Sequence, residues 1–414
     1  MVQLCVGIVY LWSVFNSPVS AAFGLSKSAA SMVSSYMLLA FVVGCLVGGI
    51  LDAKKGPRAT ITIGVLLFGI GVGASGLLTP ETAGLINLTY AILGGLGSGF
   101  AYTACMSCIQ KWFPTKRGFA SGLAAAFFGL STVIFAPVSR GLMTAHTVAE
   151  TGLVNFRPVF LTLGILFLVI GLVASMFVRL PAPGSPQAEA AAAGAGGKAK
   201  FFYPDDLSLG QVVKKPAFWC LFFAVFFGAA TWTLVVPLIS NLGVERGLTI
   251  AAATLTVSLT GIINAIGRLV LASLSDKIGR RGAFIVVCAL TVIGAGLLTF
   301  IGGVGYSAAI LVIAFAYGGP GPLAAAFAVD FFGAKNSARN FGLITLSLGI
   351  TSLVCNAVSN NVLHGNATPT FIMAAVMAII PIGLMFVLRS LEKRAKSAVE
   401  EPALPETDAL PEPG

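Results

Sequence analysis

Twelve runs of about twenty mainly apolar residues, each closed by a short polar stretch, occupy almost the whole sequence. They fall at 1–20, 29–51, 59–78, 84–110, 118–143, 157–179, 216–240, 250–274, 283–303, 306–331, 340–363 and 369–388. About twenty such residues span a hydrocarbon core of ~30 Å as a helix, and inside lipid a helix satisfies its own backbone hydrogen bonds. Only 10% of the 414 residues are charged, where a soluble domain carries about a quarter. The fold class read from this pattern is an all-α membrane protein of twelve transmembrane helices.

The charges sort by loop. Of the 25 lysines and arginines, only Lys27, Arg140, Arg157 and Arg246 fall on one side of the bundle, and Arg268 lies within a span. The rest collect on the other side, which the positive-inside rule makes cytoplasmic, with both chain termini. The net charge of +10 is thereby explained without nucleic acid. The expected location is the inner (plasma) membrane. The first run begins at Met1 without a charged flank, so a start further upstream, or a missing short cytoplasmic tail, is expected.

Residues 181–215 are rich in Pro, Ala and Gly at first and then polar, which reads as a cytoplasmic linker, its second part holding a short helix on the membrane surface. The linker separates an N-terminal half, 1–180, from a C-terminal half, 216–390, with a tail at 391–414. The two halves repeat. Asp52-Ala-Lys-Lys-Gly-Pro-Arg58 follows the second span and Asp276-Lys-Ile-Gly-Arg-Arg281 the eighth. Lys111-Trp-Phe-Pro-Thr-Lys-Arg-Gly-Phe-Ala-Ser-Gly122 joins spans four and five, and Asp330-Phe-Phe-Gly-Ala-Lys-Asn-Ser-Ala-Arg-Asn-Phe-Gly342 joins spans ten and eleven. Such a parallel duplication is a transporter architecture. Pro320 and Pro322 must break span ten.

Arg268 is the one charge placed at membrane depth, where it costs at least ~2.5 kcal/mol. No aspartate or glutamate lies mid-span to neutralise it, so it offers a place for an anion. Asn264, one helical turn earlier, shares its face. Tyr10, Tyr102 and Tyr317 can present hydroxyls within apolar walls, as binding of a small organic anion requires. Phe128, Asn16, Ser352 and Asn356 are further candidates for the cavity lining. Seven scattered cysteines and two histidines make neither a disulfide framework nor a metal set, and no nucleophile or acid/base pair emerges. Neither enzyme activity nor a metal or cofactor is expected.

The paired acidic–basic turns resemble the signature loops of the major facilitator superfamily, which implies two pseudo-symmetric six-helix halves around a central cavity. Gly7 to Phe15, Lys111 to Gly122, Asn264 to Arg268 and Ser337 to Gly342 resemble the bacterial oxalate/formate antiporter and monocarboxylate transporter group. In that group a span-eight arginine, matching Arg268, binds the substrate carboxylate. The oxalate/formate antiporter adds a span-eleven lysine, where this chain has Leu348. Animal monocarboxylate transporters carry an aspartate four residues before the arginine and a lysine in span one, where this chain has Asn264 and Val14. The resemblance further implies that Asp52, Arg58, Asp276, Arg280 and Arg281 pair across helix ends and bias the inward-closed state; Asp330, at the end of span ten, is expected to cap or gate rather than to bind protons. The expected activity is secondary transport of a small monocarboxylate such as lactate, pyruvate or formate, proton-coupled, by a monomer in the bilayer. Its rivals are exchange of organic anions, with a counter-anion in place of the proton, and a non-transporting carboxylate sensor.

Overall fold

Among the residues described by the computed structural model, 1–7, 11–187, 189, 206–235, 239–361 and 366–400, ten helical runs are long and apolar enough to cross a bilayer. One of these, Met32–Ser75, holds two spans because the chain reverses inside it at Gly56. The first span brackets residues 8–10, which lie outside the described residues, and so escapes the ten. Together these make twelve.

In chain order the first half contains α1 (Val2–Val6), α2 (Trp12–Phe23), α3 (Lys27–Ser75), α4 (Gly94–Trp112), α5 (Arg117–Ala145) and α6 (Phe156–Met176). A 3₁₀ turn at Pro80–Leu85 and a π-helical turn at Asn87–Leu93 lead into α4. The second half contains α7 (Leu209–Val212), α8 (Pro216–Val235), α9 (Ile239–Glu245), α10 (Ile250–Ile278), α11 (Arg280–Phe300), α12 (Gly303–Tyr317), α13 (Pro320–Phe332), α14 (Ser337–Asn361) and α15 (Ala367–Glu400). The described residues contain no strand, only an isolated bridge between Thr147 and Val154.

The duplication shows in the backbone. Gly56 turns α3 with φ 79° and ψ 170°, and Gly279 joins α10 to α11 with φ 83° and ψ 156°. This region is open to glycine almost alone, so the repeated glycine is what permits each tight reversal. The same offset separates Gly24 from Gly247, both at positive φ where the first span of each half ends.

The halves meet along two helix pairs, α5 with α10 and α3 with α14. Small residues set the approach. A Cβ added at Gly122 would lie 2.6 Å from the Arg268 carbonyl oxygen, and one at Gly49 would lie 2.4 Å from that of Ala338. Span ten breaks between α12 and α13, where Pro320 and Pro322 offer no N–H to the preceding turn.

Residues 188 and 190–205 of the expected linker and 401–414 of the expected tail lie outside the described residues. The described end of the linker does hold a short helix, α7, capped reciprocally by Ser208 and Gln211. The residues before it dock on the protein: Leu207 N–H donates to the Phe332 carbonyl at 3.0 Å, and Asn336 and Asn340 donate to the Leu207 carbonyl at 3.1 and 3.2 Å. The last helix continues to Glu400, past the expected end of the span at residue 388, and its Glu392 pairs with Arg281 at 2.7 Å.

Candidate functional site

Span eight, α10, passes through the middle of the bundle beside α5, and its N-terminus is fixed by the Thr249 side chain accepting from Ala252 N–H. Asn264 and Arg268 sit one turn apart on its inner face, each only 8% exposed. Arg268 Nε donates to Asn264 Oδ1 at 2.9 Å, and Asn264 Nδ2 donates to the Ala314 carbonyl of α12 at 3.0 Å. Arg268 Nη1 reaches across to the Ala125 carbonyl of α5 at 3.4 Å. The asparagine thus orients the guanidinium, and the arginine bridges the two halves.

Arg268 forms one wall of a cavity of about 50 Å³. The first half supplies Phe41, Tyr102 and Phe128; the second adds Tyr317, Gly318, Pro320, Gly321, Pro322, Phe341, Thr345 and Leu348. Among these described lining residues Arg268 is the one charged group, and none is acidic. Tyr102 is held edge-on between Phe41 and Phe128, ring centroids 5.4 and 4.8 Å away, with Phe341 at 6.0 Å. Tyr317 stacks on Trp232 of α8 at 5.3 Å and 17°. At about 50 Å³ the cavity exceeds the ~10–15 Å³ that admits a single water, so the space is small but not closed to a ligand.

The larger cavities lie elsewhere. One of about 640 Å³ is lined by Met1, Gln3, Cys105, Trp112, Phe127 and Phe177, among others, and one of about 430 Å³ by residues such as Phe23, Thr79 and Arg157. Both belong wholly to the first half, so relative motion of the halves does not open them to alternate sides.

Of the residues singled out from sequence, Arg268, Asn264, Tyr102, Tyr317 and Phe128 come together at or around the small cavity. Tyr10 lies outside the described residues, as does the side chain of Asn356. Ser352 is half-buried one turn beyond Leu348 and does not line the cavity. Phe41, Phe341, Thr345 and the supporting Trp232 escape the sequence reading. An aromatic or threonine in an apolar helix has no spacing signal of its own.

A second constellation lies at the basic end of the bundle. Asp276 accepts from the backbone N–H of Gly118 at 2.9 Å and of Phe119 at 2.8 Å, so a carboxylate of the second half caps the positive end of α5 in the first. Arg280 pairs with Asp276, donates to Ser275 Oγ at 2.6 Å and reaches Asp330 at 2.8 Å. The other oxygen of Asp330 accepts from Arg117 of α5 at 2.9 Å. Arg117 is only 3% exposed. From sequence it counted only as one more positive loop charge; its place inside a repeated block was the available signal.

The matching turn of the first half is built differently. Asp52 is buried, and its Oδ1 has no hydrogen-bond partner among the described residues. Burial raises its carboxyl to about 6, against the pull of Lys111 and Ser107. Arg58 is exposed and forms no ion pair among the described residues, so the structure does not bring these two together. Arg281 turns away to Glu392.

Comparison with known proteins agrees with this architecture. The sequence profile of the Major Facilitator Superfamily matches residues 3–354. The chain is 27% identical to the oxalate:formate antiporter of Oxalobacter formigenes, over 96% of this chain and 92% of that protein. It is 29% identical to monocarboxylate transporter 13 of Bos taurus over 34% of this chain and 33% of that one. Among solved structures, the proton:xylose symporter XylE superposes with a TM-score of 0.70 at 15% identity, over 95% of this chain and 97% of the other. At that identity the likeness concerns the fold alone.

Proposed function

Because the chain belongs to the major facilitator superfamily, whose members are transporters, we propose that it is a secondary active transporter of small monocarboxylates, lactate, pyruvate or the like, working by alternating access. The observation that carries this reading is the single guanidinium of Arg268, oriented by Asn264, in an aromatic cavity whose walls come from both halves. A desolvated arginine recognises a carboxylate by two parallel, charge-assisted hydrogen bonds. One cation matches one carboxylate. Tyr102 and Tyr317 supply hydroxyls, and Phe128, Phe41 and Phe341 exclude water around the bound anion.

Rocking of the halves about this site would expose it to each side in turn. The network of Arg117, Asp330, Arg280 and Asp276 holds the basic end shut, and that end faces the cytoplasm of the inner membrane on this reading. Proton coupling needs no embedded acid here, because the carboxylate can itself carry the proton across. The similarity to the oxalate:formate antiporter favours a second reading, exchange of two organic anions. Against oxalate as substrate, Leu348 lines the cavity where a second cation would serve.

Uptake of radiolabelled lactate and pyruvate into proteoliposomes tests the assignment. Arg268→Ala is expected to abolish uptake, and undiminished transport by this variant would sink the proposal. Imposing a pH gradient on vesicles with and without internal anion separates symport from exchange, since exchange requires the internal anion.

A further inference from the structure

A glycine in a membrane helix usually answers to a left-handed backbone or to a neighbour too close for a Cβ. Gly56 and Gly279 are of the first kind. Around the cavity Gly267, Gly318 and Gly319 are of the second. An added Cβ would lie 2.1 Å from the Phe315 carbonyl oxygen, 2.5 Å from Arg268 N and 2.4 Å from Val287 Cγ2, respectively.

Gly321 is of neither kind. It is the second residue of α13, its φ is not in the left-handed region, and the nearest atom to an added Cβ is the Tyr102 hydroxyl, at an ordinary contact distance of 4.0 Å. Yet it lines the cavity beside Arg268. Apart from its chain neighbours and its own helix backbone, a Cβ here meets nothing closer than that hydroxyl, and it points toward the tyrosine across the space between the halves. What it would displace is cavity.

We infer that Gly321 sets the size of the anion the site admits, an inference that rests on the carboxylate reading of Arg268 given above. The cavity is only about 50 Å³, so a methyl takes a substantial share of it. Formate has three heavy atoms, acetate four and pyruvate six, so a methyl at position 321 tells most against pyruvate and least against formate. A different role is available to this glycine: it precedes Pro322, and a residue before proline is strained in the helical region unless it lacks a Cβ. That role predicts loss of stability for Gly321→Ala with no regard to the anion.

The experiment is initial-rate uptake of radiolabelled formate, acetate and pyruvate by full-length protein in proteoliposomes, wild type against Gly321→Ala and Gly321→Val. Ligand-induced thermal stabilisation in detergent gives the same series without turnover. For Gly321→Ala the KM for pyruvate is expected to rise about tenfold or more relative to that for formate, the order of effect of one overpacked methylene, with the Tm of the ligand-free protein unchanged. Gly321→Val extends the loss to acetate. Equal losses for the three anions, a drop in Tm without size selection, or an unaltered series would each overturn the inference. Wild-type protein that neither binds nor carries any of the three refutes the carboxylate reading, and the inference with it; wild-type transport with an unchanged size order in the variants refutes the inference alone.

Discussion

Replacing Asp330 by Asn probes how firmly the basic end is closed. The carboxylate accepts from Arg117 at 2.9 Å through one oxygen and from Arg280 at 2.8 Å through the other, and the side chain is 16% exposed. Asparagine keeps the shape but offers one neutral acceptor and an NH₂ that faces a guanidinium. Hydrogen bonds to charged groups contribute ~1.5–3 kcal/mol each, and breaking a buried pair costs ~3–5 kcal/mol. Partial exposure, and the contact Arg280 retains with Asp276, place the loss near the low end, at about 3 kcal/mol. Arg280 and Asp330 both belong to the second half, so the share that falls on the closed arrangement of the halves is that of Arg117 with Asp330, about 1.5–3 kcal/mol. A change of that size moves an open–closed equilibrium by roughly ten- to a hundredfold. The assay is the rate of thiol labelling of Ser337→Cys in a background without the seven native cysteines, since Ser337 is buried between the halves, 3.3 Å from Ser107. Asp330→Asn is expected to speed labelling between ten- and a hundredfold, and adding Arg117→Gln to it changes the rate little, because both break the same pair. An unchanged labelling rate, or fully additive effects of the two substitutions in a double-mutant cycle, would refute the network as the closing device.

Two further outcomes follow from the same geometry. Asn264→Leu removes the acceptor that orients Arg268 Nε, so the KM for carboxylate uptake should rise ten- to a hundredfold, the weight of one charge-assisted hydrogen bond, while the variant stays folded; an unaltered KM refutes the orienting role. Asp52, in the turn beyond the second span, has its carboxyl raised by burial from 3.8 to about 6, so its favourable contribution is complete below about pH 4 and is lost as pH rises through 6. Asp52→Asn removes a penalty of at most about 3 kcal/mol at pH 8, and its Tm should exceed the wild-type value there by a margin that shrinks toward pH 4.5. A margin independent of pH contradicts the burial argument.

How much of this was legible in the sequence depends on whether a residue announces itself alone. Twelve apolar runs suffice for the fold because lipid leaves the backbone no other solution. Arg268 is legible because one charge among apolar neighbours is costly wherever the chain folds. The aromatic walls are not legible in the same way. Tyr317 stands out by its hydroxyl, but Trp232, far from it in sequence, stacks on it only once α8 and α12 pack and looks like any other residue of an apolar helix. Gly321 is set apart from Gly318 by what lies opposite it, which the sequence does not show.

The two acidic–basic turns read as equivalent from their residues, and the structure shows why they are not. In the repeated blocks the position of Asp330 is taken in the first half by Lys111. A lysine there can screen Asp52, but it cannot join two arginines across the halves as Asp330 does. The α3–α14 contact is left to close packing at Gly49 and Gly342 and to the Ser107–Ser337 hydrogen bond. The α5–α10 contact adds a capped helix end, and beside it one ion pair crosses the halves, Arg117 with Asp330, which Arg280 holds from within the second half. One interface is therefore held by shape and the other by charge as well. Opening the basic end must break the charged one, and Arg268 lies on that same helix pair, bonded to the Ala125 carbonyl of α5. On the proposed reading, an anion that drew the guanidinium away from α5 would loosen the seam on which the charged network sits. Site and closure are thus coupled through a single helix, α10, which carries Asn264, Arg268, Ser275 and Asp276 in order along its length.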